Sequence, residues 1–144
     1  SFQQTPATLV TLANNVPIQP GVAGMFTSNY VDAKSFSKFK LYAQVTLSQP
    51  WPSYATPEVS VSVQESATGT AEWASGSNIP YTPWEAQWGP PPPPTPPQPG
   101  QTPRWARAVG FQGDFSTLRA VATMPNLNTP YSATISLYLL MAKD

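Results

Sequence analysis

Hydrophobic and polar residues alternate in several stretches of the chain. In residues 38–47, KFKLYAQVTL, an apolar row that includes Phe39 and Leu41 alternates with a row that includes Lys38 and Lys40. A period of two places the two rows on opposite faces of a β-strand. The same period recurs at 59–64 and 134–141, and strand-like runs occupy 7–12, 24–30, 104–111 and 117–124. The pattern predicts about seven or eight strands.

Helical periodicity is not evident. No stretch of a dozen residues has a convincing 3.6-residue repeat, and β-branched and aromatic residues dominate the candidate elements. Most prolines outside residues 89–100 fall between the runs, where a residue without an N–H does least harm. We therefore predict an all-β, antiparallel β-sandwich. A jelly roll and an immunoglobulin-like sandwich both fit, and the jelly roll is preferred.

Residues 89–100, GPPPPPTPPQPG, depart from the alternation. Consecutive prolines cannot donate ladder hydrogen bonds and favour polyproline II, which extends over roughly 30 Å at this length. The sequence predicts that this tract is an exposed loop inserted into one sandwich domain, residues 21–144. The alternative, a PxxP ligand for an SH3 or WW domain, is less favoured than an exposed or neighbour-clasping loop.

The first 20 residues contain apolar side chains, three prolines and no charged side chain. Two interpretations are open. Residues 1–20 form an N-terminal arm that buries its apolar side chains against another chain, or residues 7–12 are simply the first strand of the sandwich. On the first interpretation the interface candidates in this segment are Phe2, Leu9, Val10 and Leu12.

The composition limits the chemistry available to this chain. It has 144 residues, 7 basic and 7 acidic side chains, no histidine and no cysteine. Disulfides, thiolate metal sites and the usual general base are therefore excluded. The spacing of the carboxylates selects neither a catalytic pair nor a calcium loop. We expect no enzyme activity, no metal and no cofactor. The carboxylates before the last residue are Asp32, Glu58, Glu65, Glu72, Glu85 and Asp114.

Charge and hydrophobicity limit the partners. A net charge of zero with 10% charged residues cannot build the basic surface that binds nucleic acid or anionic lipid. No run approaches the roughly 18 to 20 apolar residues of a membrane span, and the first residues lack the pattern of a signal peptide. We expect neither a nucleic-acid nor a membrane partner.

Three of the five tryptophans lie beside prolines, in segments predicted to be loops. Exposed aromatic rings suit a protein interface or stacking on a sugar, because rigid rings give a large contact area at low entropic cost. Packing against proline at the ends of the sandwich is the structural alternative. The three interface candidates are Trp51, Trp84 and Trp88.

The order of these segments resembles that of the small head-decoration, or cement, proteins of tailed bacteriophages. The similarity covers residues 36–141, from FKLYAQVTL through VSVSVQESATGTAEW and RWARAVGFQGDFSTLRAVATM to ATISLYLLMAKD. The second segment has the V-x-V-x-x-Q-E-S strand, glycine turn and tryptophan of those proteins, and the third approximates their Arg-aromatic strand. The residues concerned are Gln64, Glu65, Ser66, Gly69 and Trp73, then Arg104, Trp105, Arg107 and Val109.

The resemblance implies a non-enzymatic structural virion protein. Such a protein lies on the outer surface of the capsid, binds the major capsid protein and neighbouring copies of itself as a dimer or trimer, and stabilises the shell at the seams between capsomers. Two other functions fit the residues. One is a carbohydrate- or receptor-binding module of a phage fibre, and the other is a small single-jelly-roll capsid subunit.

Overall fold

The computed structural model describes residues 7–19, 25–47, 58–70, 72–74, 81–85, 104–124 and 132–143. These ranges contain nine β-strands and no helix, so the all-β prediction is confirmed. The strands are β1 (Thr8–Ile18), β2 (Phe26–Thr27), β3 (Val31–Asp32), β4 (Lys38–Leu47), β5 (Glu58–Ser66), β6 (Tyr81–Glu85), β7 (Arg104–Gln112), β8 (Thr117–Thr123) and β9 (Ala133–Ala142).

The strands form two antiparallel sheets in which early strands pair with late ones. One sheet has the order β1-β9-β4-β7, and the other has the order β2-β8-β5-β6, with β3 also paired to β8. Thus β1 pairs with β9, β2 and β3 with β8, β4 with β7, and β5 with β6. A long hairpin rolled into two facing sheets has this nested pairing, which is the jelly roll. The predicted jelly-roll-like sandwich is confirmed.

β2 and β3 behave as one interrupted edge strand along β8. Between them, the Ser28 N–H donates to the carbonyl of Ala120, and the Ala120 N–H donates to Ser28 Oγ, both at 2.9 Å. The serine side chain therefore replaces a backbone acceptor where the edge strand leaves the ladder. Counted as one, β2 and β3 give eight strand positions, within the seven or eight predicted.

The core lies between the sheets and is built from the apolar phase of the alternation. Each central strand contributes every second side chain, as the sequence pattern predicts. Phe39 and Phe111 stack with ring centroids 5.2 Å apart, and Phe115 packs edge-on against both. The most completely buried large side chains are Leu41, Val45, Val59, Val61, Val63, Leu118, Ile135, Leu137 and Leu139.

Residues 8–18 of the first 20 form β1, at one edge of the four-stranded sheet. The strand is longer than the predicted run 7–12. Two register shifts against β9, with Asn15 at φ 51°, interrupt its alternation and bring both Ala13 and Ile18 into the core. Residues 8–18 therefore form the first strand of the sandwich, as the second interpretation predicts.

One predicted loop is a strand. β6 pairs with β5, and Trp84 lies opposite Val59 in that pairing. The prediction that Trp84 lies in a loop is therefore wrong. The proline at 83 led to the loop prediction. β6 is an edge strand, however, and an edge tolerates proline because only one of its sides carries a ladder. Pro17 occupies β1, another edge strand, for the same reason.

Phe2, Trp51, Trp88 and the proline tract at 89–100 lie outside the described residues. The predicted exposed loop at 89–100 therefore stays a prediction.

Candidate functional site

The outer side of the four-stranded sheet carries apolar and aromatic side chains. Tyr42 of β4 lies opposite Tyr138 of β9, and Leu140 lies between Leu9 and Lys40 in the neighbouring row. Their sequence neighbours Leu41 and Leu139 are buried, so these side chains point away from the core. We call this surface the tyrosine face. It consists of Leu9, Lys40, Tyr42, Gln44, Tyr138 and Leu140.

The tyrosine face is concave and accessible. Leu9 is 59% exposed, and Tyr42, Tyr138 and Leu140 are half-buried. A shallow depression of about 420 Å³ lies among them, with Gln44 at its side. Exposed apolar side chains that are contiguous, rather than scattered, are typical of a surface that binds a protein or a ligand.

β7 extends this surface with small residues. Ala106, Ala108 and Gly110 lie opposite Gln44, Tyr42 and Lys40 in register, and all three are exposed. No long side chain rises from these three positions, so this part of the sheet is flat. A flat strip beside a shallow depression suits a broad partner surface better than a deeply enclosed small molecule.

The two sheets differ in charge. The strands of the four-stranded sheet contain no aspartate or glutamate and four cationic residues, two of which, Lys38 and Lys40, are exposed. The strands of the other sheet contain four carboxylate residues and one arginine. Lys40 Nζ lies 5.6 Å from the centroid of the Tyr42 ring, which keeps the positive charge beside the aromatic surface. The tyrosine face therefore combines apolar area with positive charge.

A second aromatic cluster lies on the other sheet. The Arg119 guanidinium lies 4.3 Å from the centroid of the Trp73 ring, and Arg119 Nε donates to Gln64 Oε1 at 2.9 Å. The Tyr30 ring lies 6.0 Å from Trp73 at 47°. The two rings are tilted, and one of them is covered by Arg119. A sugar platform requires coplanar exposed rings, so this pair does not form one.

The loop after β5 explains why the Gln-Glu-Ser, glycine and tryptophan positions occur together. Ser66 Oγ accepts hydrogen bonds from the Thr68 and Gly69 N–H groups at 3.3 and 3.0 Å. Gly69 has φ 82°, and Glu65 exchanges two backbone hydrogen bonds with Ala74. The motif that carries the family resemblance thus forms a turn that returns Trp73 to the sheet.

The predicted interface residues have different positions. Leu9 belongs to the tyrosine face, whereas Val10 and Leu12 are half-buried and pack against the core. Trp84 lies within β6. Sequence reasoning did not single out Tyr42, Tyr138 and Leu140. One sequence feature could have indicated this surface: Leu140 is apolar although it occupies the outward, mostly polar phase of β9.

The described residues hold no cluster of three or more Asp, Glu, His or Cys side chains able to bind a metal ion. Within the same ranges, no helix is long and apolar enough to cross a membrane.

No protein-family model and no curated protein matches this sequence. The chain is similar in structure to VP2 of infectious bursal disease virus, in a subviral particle, with TM-score 0.48 and 8% identity over 95% of this chain and 32% of that one. It is also similar to latent PorU of Porphyromonas gingivalis, with TM-score 0.48 and 10% identity over 99% of this chain and 13% of that one. A Lys-gingipain adhesin domain, K1, of the same bacterium gives TM-score 0.44 and 10% identity, covering 96% and 75%.

The chain thus spans about a third or less of the first two of these structures. At these identities and TM-scores the likenesses carry no information about what this chain does.

Proposed function

We propose that this chain is a structural virion protein that binds the outside of a tailed-bacteriophage capsid and stabilises the shell at the seams between capsomers. The observation that carries the proposal is the tyrosine face. A sandwich whose core already lies between its two sheets still exposes a contiguous apolar and aromatic surface on one of them. Burial of that surface against the major capsid protein accounts for its composition.

The motif at residues 64–73 supports the same proposal. Ser66 Oγ accepts a hydrogen bond from the Gly69 N–H, and the Arg119 guanidinium lies over the Trp73 ring, so these residues have a structural role that a family of related sandwiches would share.

Charge supports a protein partner with an acidic surface. Lys38 and Lys40 are exposed on a sheet whose strands lack carboxylates, so a shell surface that offers carboxylates around apolar side chains would complement it. Nucleic acid would require many more cations than this face provides.

Co-sedimentation with shells tests the proposal. The shells are assembled from the major capsid protein encoded by the same genome and are used before and after expansion. The proposal predicts saturable binding to expanded shells, at a fixed number of copies per capsomer, and a higher temperature of shell disruption. Failure to bind the expanded shell would contradict it.

The strand order favours a second candidate, a capsid subunit that builds the shell itself, because single jelly rolls form viral capsids. That function predicts closed particles when the purified chain is concentrated without any other protein. If negative-stain microscopy shows such particles, the chain is a capsid subunit and the decoration proposal is wrong.

The depression between Tyr42 and Tyr138 favours a third candidate, a carbohydrate-binding module. That function predicts saturable binding of a host surface glycan that is lost when Tyr138 is changed to Ala. If the chain binds capsids instead, the wild type has no affinity for the glycan, and Tyr138→Ala weakens binding to shells.

A further inference from the structure

The edges of the two sheets differ in how well they are protected from pairing with another strand. An edge strand presents unpaired N–H and C=O groups, and proteins block such pairing with prolines, bulges or very short strands. In the described ranges the edges are β1 and β7 of one sheet, and β6 and the interrupted β2–β3 strand of the other.

Three of these edges carry a blocking feature. β1 contains Pro17 and two register shifts, one of which lies beside the positive φ of Asn15. β6 has five residues, and Pro83 is its centre. β2 and β3 have two residues each.

β7 has no proline, no bulge and no short length, and its only charged residues are Arg104 and Arg107. It has nine residues without a proline, and it pairs with β4 in unbroken register from Lys38↔Gln112 to Thr46↔Arg104. Its exposed positions on the outer side of the sheet are Ala106, Ala108, Gly110 and, at the end of the strand, Gln112, and the first three are too small to obstruct an approaching strand. No strand in the described part of the chain pairs with its outer edge.

We propose that β7 pairs antiparallel with β7 of a second copy of this chain, joining two four-stranded sheets into one of eight strands. The register centred on Ala108 pairs all nine residues of the strand with its copy. It places Arg104 opposite Gln112 and Arg107 opposite Val109, so no two cations face each other directly. This self-complementarity identifies a second copy as the occupant, with the two-fold symmetry common in homodimers.

The pairing has a geometric consequence. The two-fold axis is perpendicular to the joined sheet, so both tyrosine faces point to the same side. The two β9 strands are then five strand spacings apart, roughly 24 Å. If the proposed function holds, one dimer binds the shell through two faces at once and gains avidity without any new contact.

Cysteine substitution tests the pairing directly, because the chain has no cysteine of its own. Under mild oxidation, Ala108→Cys should form a disulfide-linked dimer, since its thiol meets that of the second copy at the two-fold axis. Thr11→Cys is the matched control, exposed on the opposite edge strand of the same sheet, and should stay monomeric on a denaturing gel.

Charge substitution tests the register. Ala108→Lys should weaken the dimer by about tenfold or more in sedimentation equilibrium, because two like charges then meet at the axis. Mixing Ala108→Lys with Ala108→Glu should restore a heterodimer, and Thr11→Lys should leave the dimer intact.

A wild-type chain that stays monomeric at its highest soluble concentration would overturn the pairing, as would equal cross-linking of the Ala108→Cys and Thr11→Cys variants. Either result would mean that another segment covers β7 or that the edge stays unpaired. A monomer that still binds expanded shells overturns this inference and leaves the proposed function standing. A dimer that does not bind expanded shells supports this inference and contradicts the proposed function.

Discussion

At the scale of single residues, Ser28 completes the hydrogen bonding of β8. Ala120 is fully buried, and its N–H has Ser28 Oγ as acceptor. Ser28→Ala would leave that buried N–H without this acceptor, which costs about 1–3 kcal/mol. We predict that the free energy of unfolding falls by that amount, measured by chemical unfolding as a lower denaturant midpoint at an unchanged m value. Thr27→Ala, at an exposed neighbouring position, should unfold like the wild type, and equal midpoints for the two variants would contradict the assigned role.

Gly69 is a second position where a small substitution is expected to change stability. Its φ of 82° is left-handed, and an added Cβ would lie 2.9 Å from the Tyr30 ring. Gly69→Ala is predicted to cost about 1–2 kcal/mol, since a residue with a Cβ is strained in this conformation. Gly110→Ala is the control, because the nearest atom to its added Cβ is 3.8 Å away. Thermal unfolding that ranks Gly110→Ala as the less stable variant would refute this explanation.

The sequence pattern predicts the buried residues well and the exposed apolar ones poorly. Val59, Val61 and Val63 are all buried as their alternation predicts, because a period of two assigns faces directly. Leu9 and Leu140 are in the outward phase, which places them outside the core but does not show whether another part of the chain covers them. An apolar residue in the outward phase can be covered by a loop or left exposed, and only the assembled sheet distinguishes the two.

At the scale of elements, β1 is an integral strand of the sandwich. It pairs with β9, and Ala13 and Ile18 are buried. Burial of one isoleucine contributes about 1.5–3 kcal/mol, a large part of the 5–15 kcal/mol typical of a domain. We predict that removal of residues 1–20 unfolds the chain or markedly lowers its melting temperature. Thr11→Ala, at an exposed position of the same strand, is the control and should have little effect.

An unchanged melting temperature after removal of residues 1–20 would instead mean that β1 is dispensable and that these residues act as an arm.

The elements that the pattern missed are short or contain proline. β3 has two residues, too few to display a period, and β2 keeps only two residues of the predicted run 24–30. β6 has the sequence YTPWE, in which proline indicates a loop unless the strand is known to be an edge. Edge position is a property of the sheet order, and the order arises from long-range pairing between the two halves of the chain.

At the scale of the whole molecule, charge is distributed unevenly between the two sheets. Because Lys40 lies beside Tyr42 on the tyrosine face, it should strengthen binding to an acidic shell surface. Lys40→Gln is predicted to weaken shell binding a few-fold at low salt, and less at high salt, where charge is screened. Lys34→Gln, exposed outside both sheets, should not change binding. Equal losses for both variants would argue against a specific role for this face.

The most direct measurement for the whole account is the affinity of two serine variants for expanded shells. Leu9 on the tyrosine face and Met25 beside β2 of the other sheet are similarly exposed, at 59% and 55%. Leu9→Ser should bind shells about tenfold or more weakly, because it removes buried apolar area from the contact, while Met25→Ser should bind like the wild type. Equal affinities for Leu9→Ser, Met25→Ser and the wild type would contradict binding through the tyrosine face.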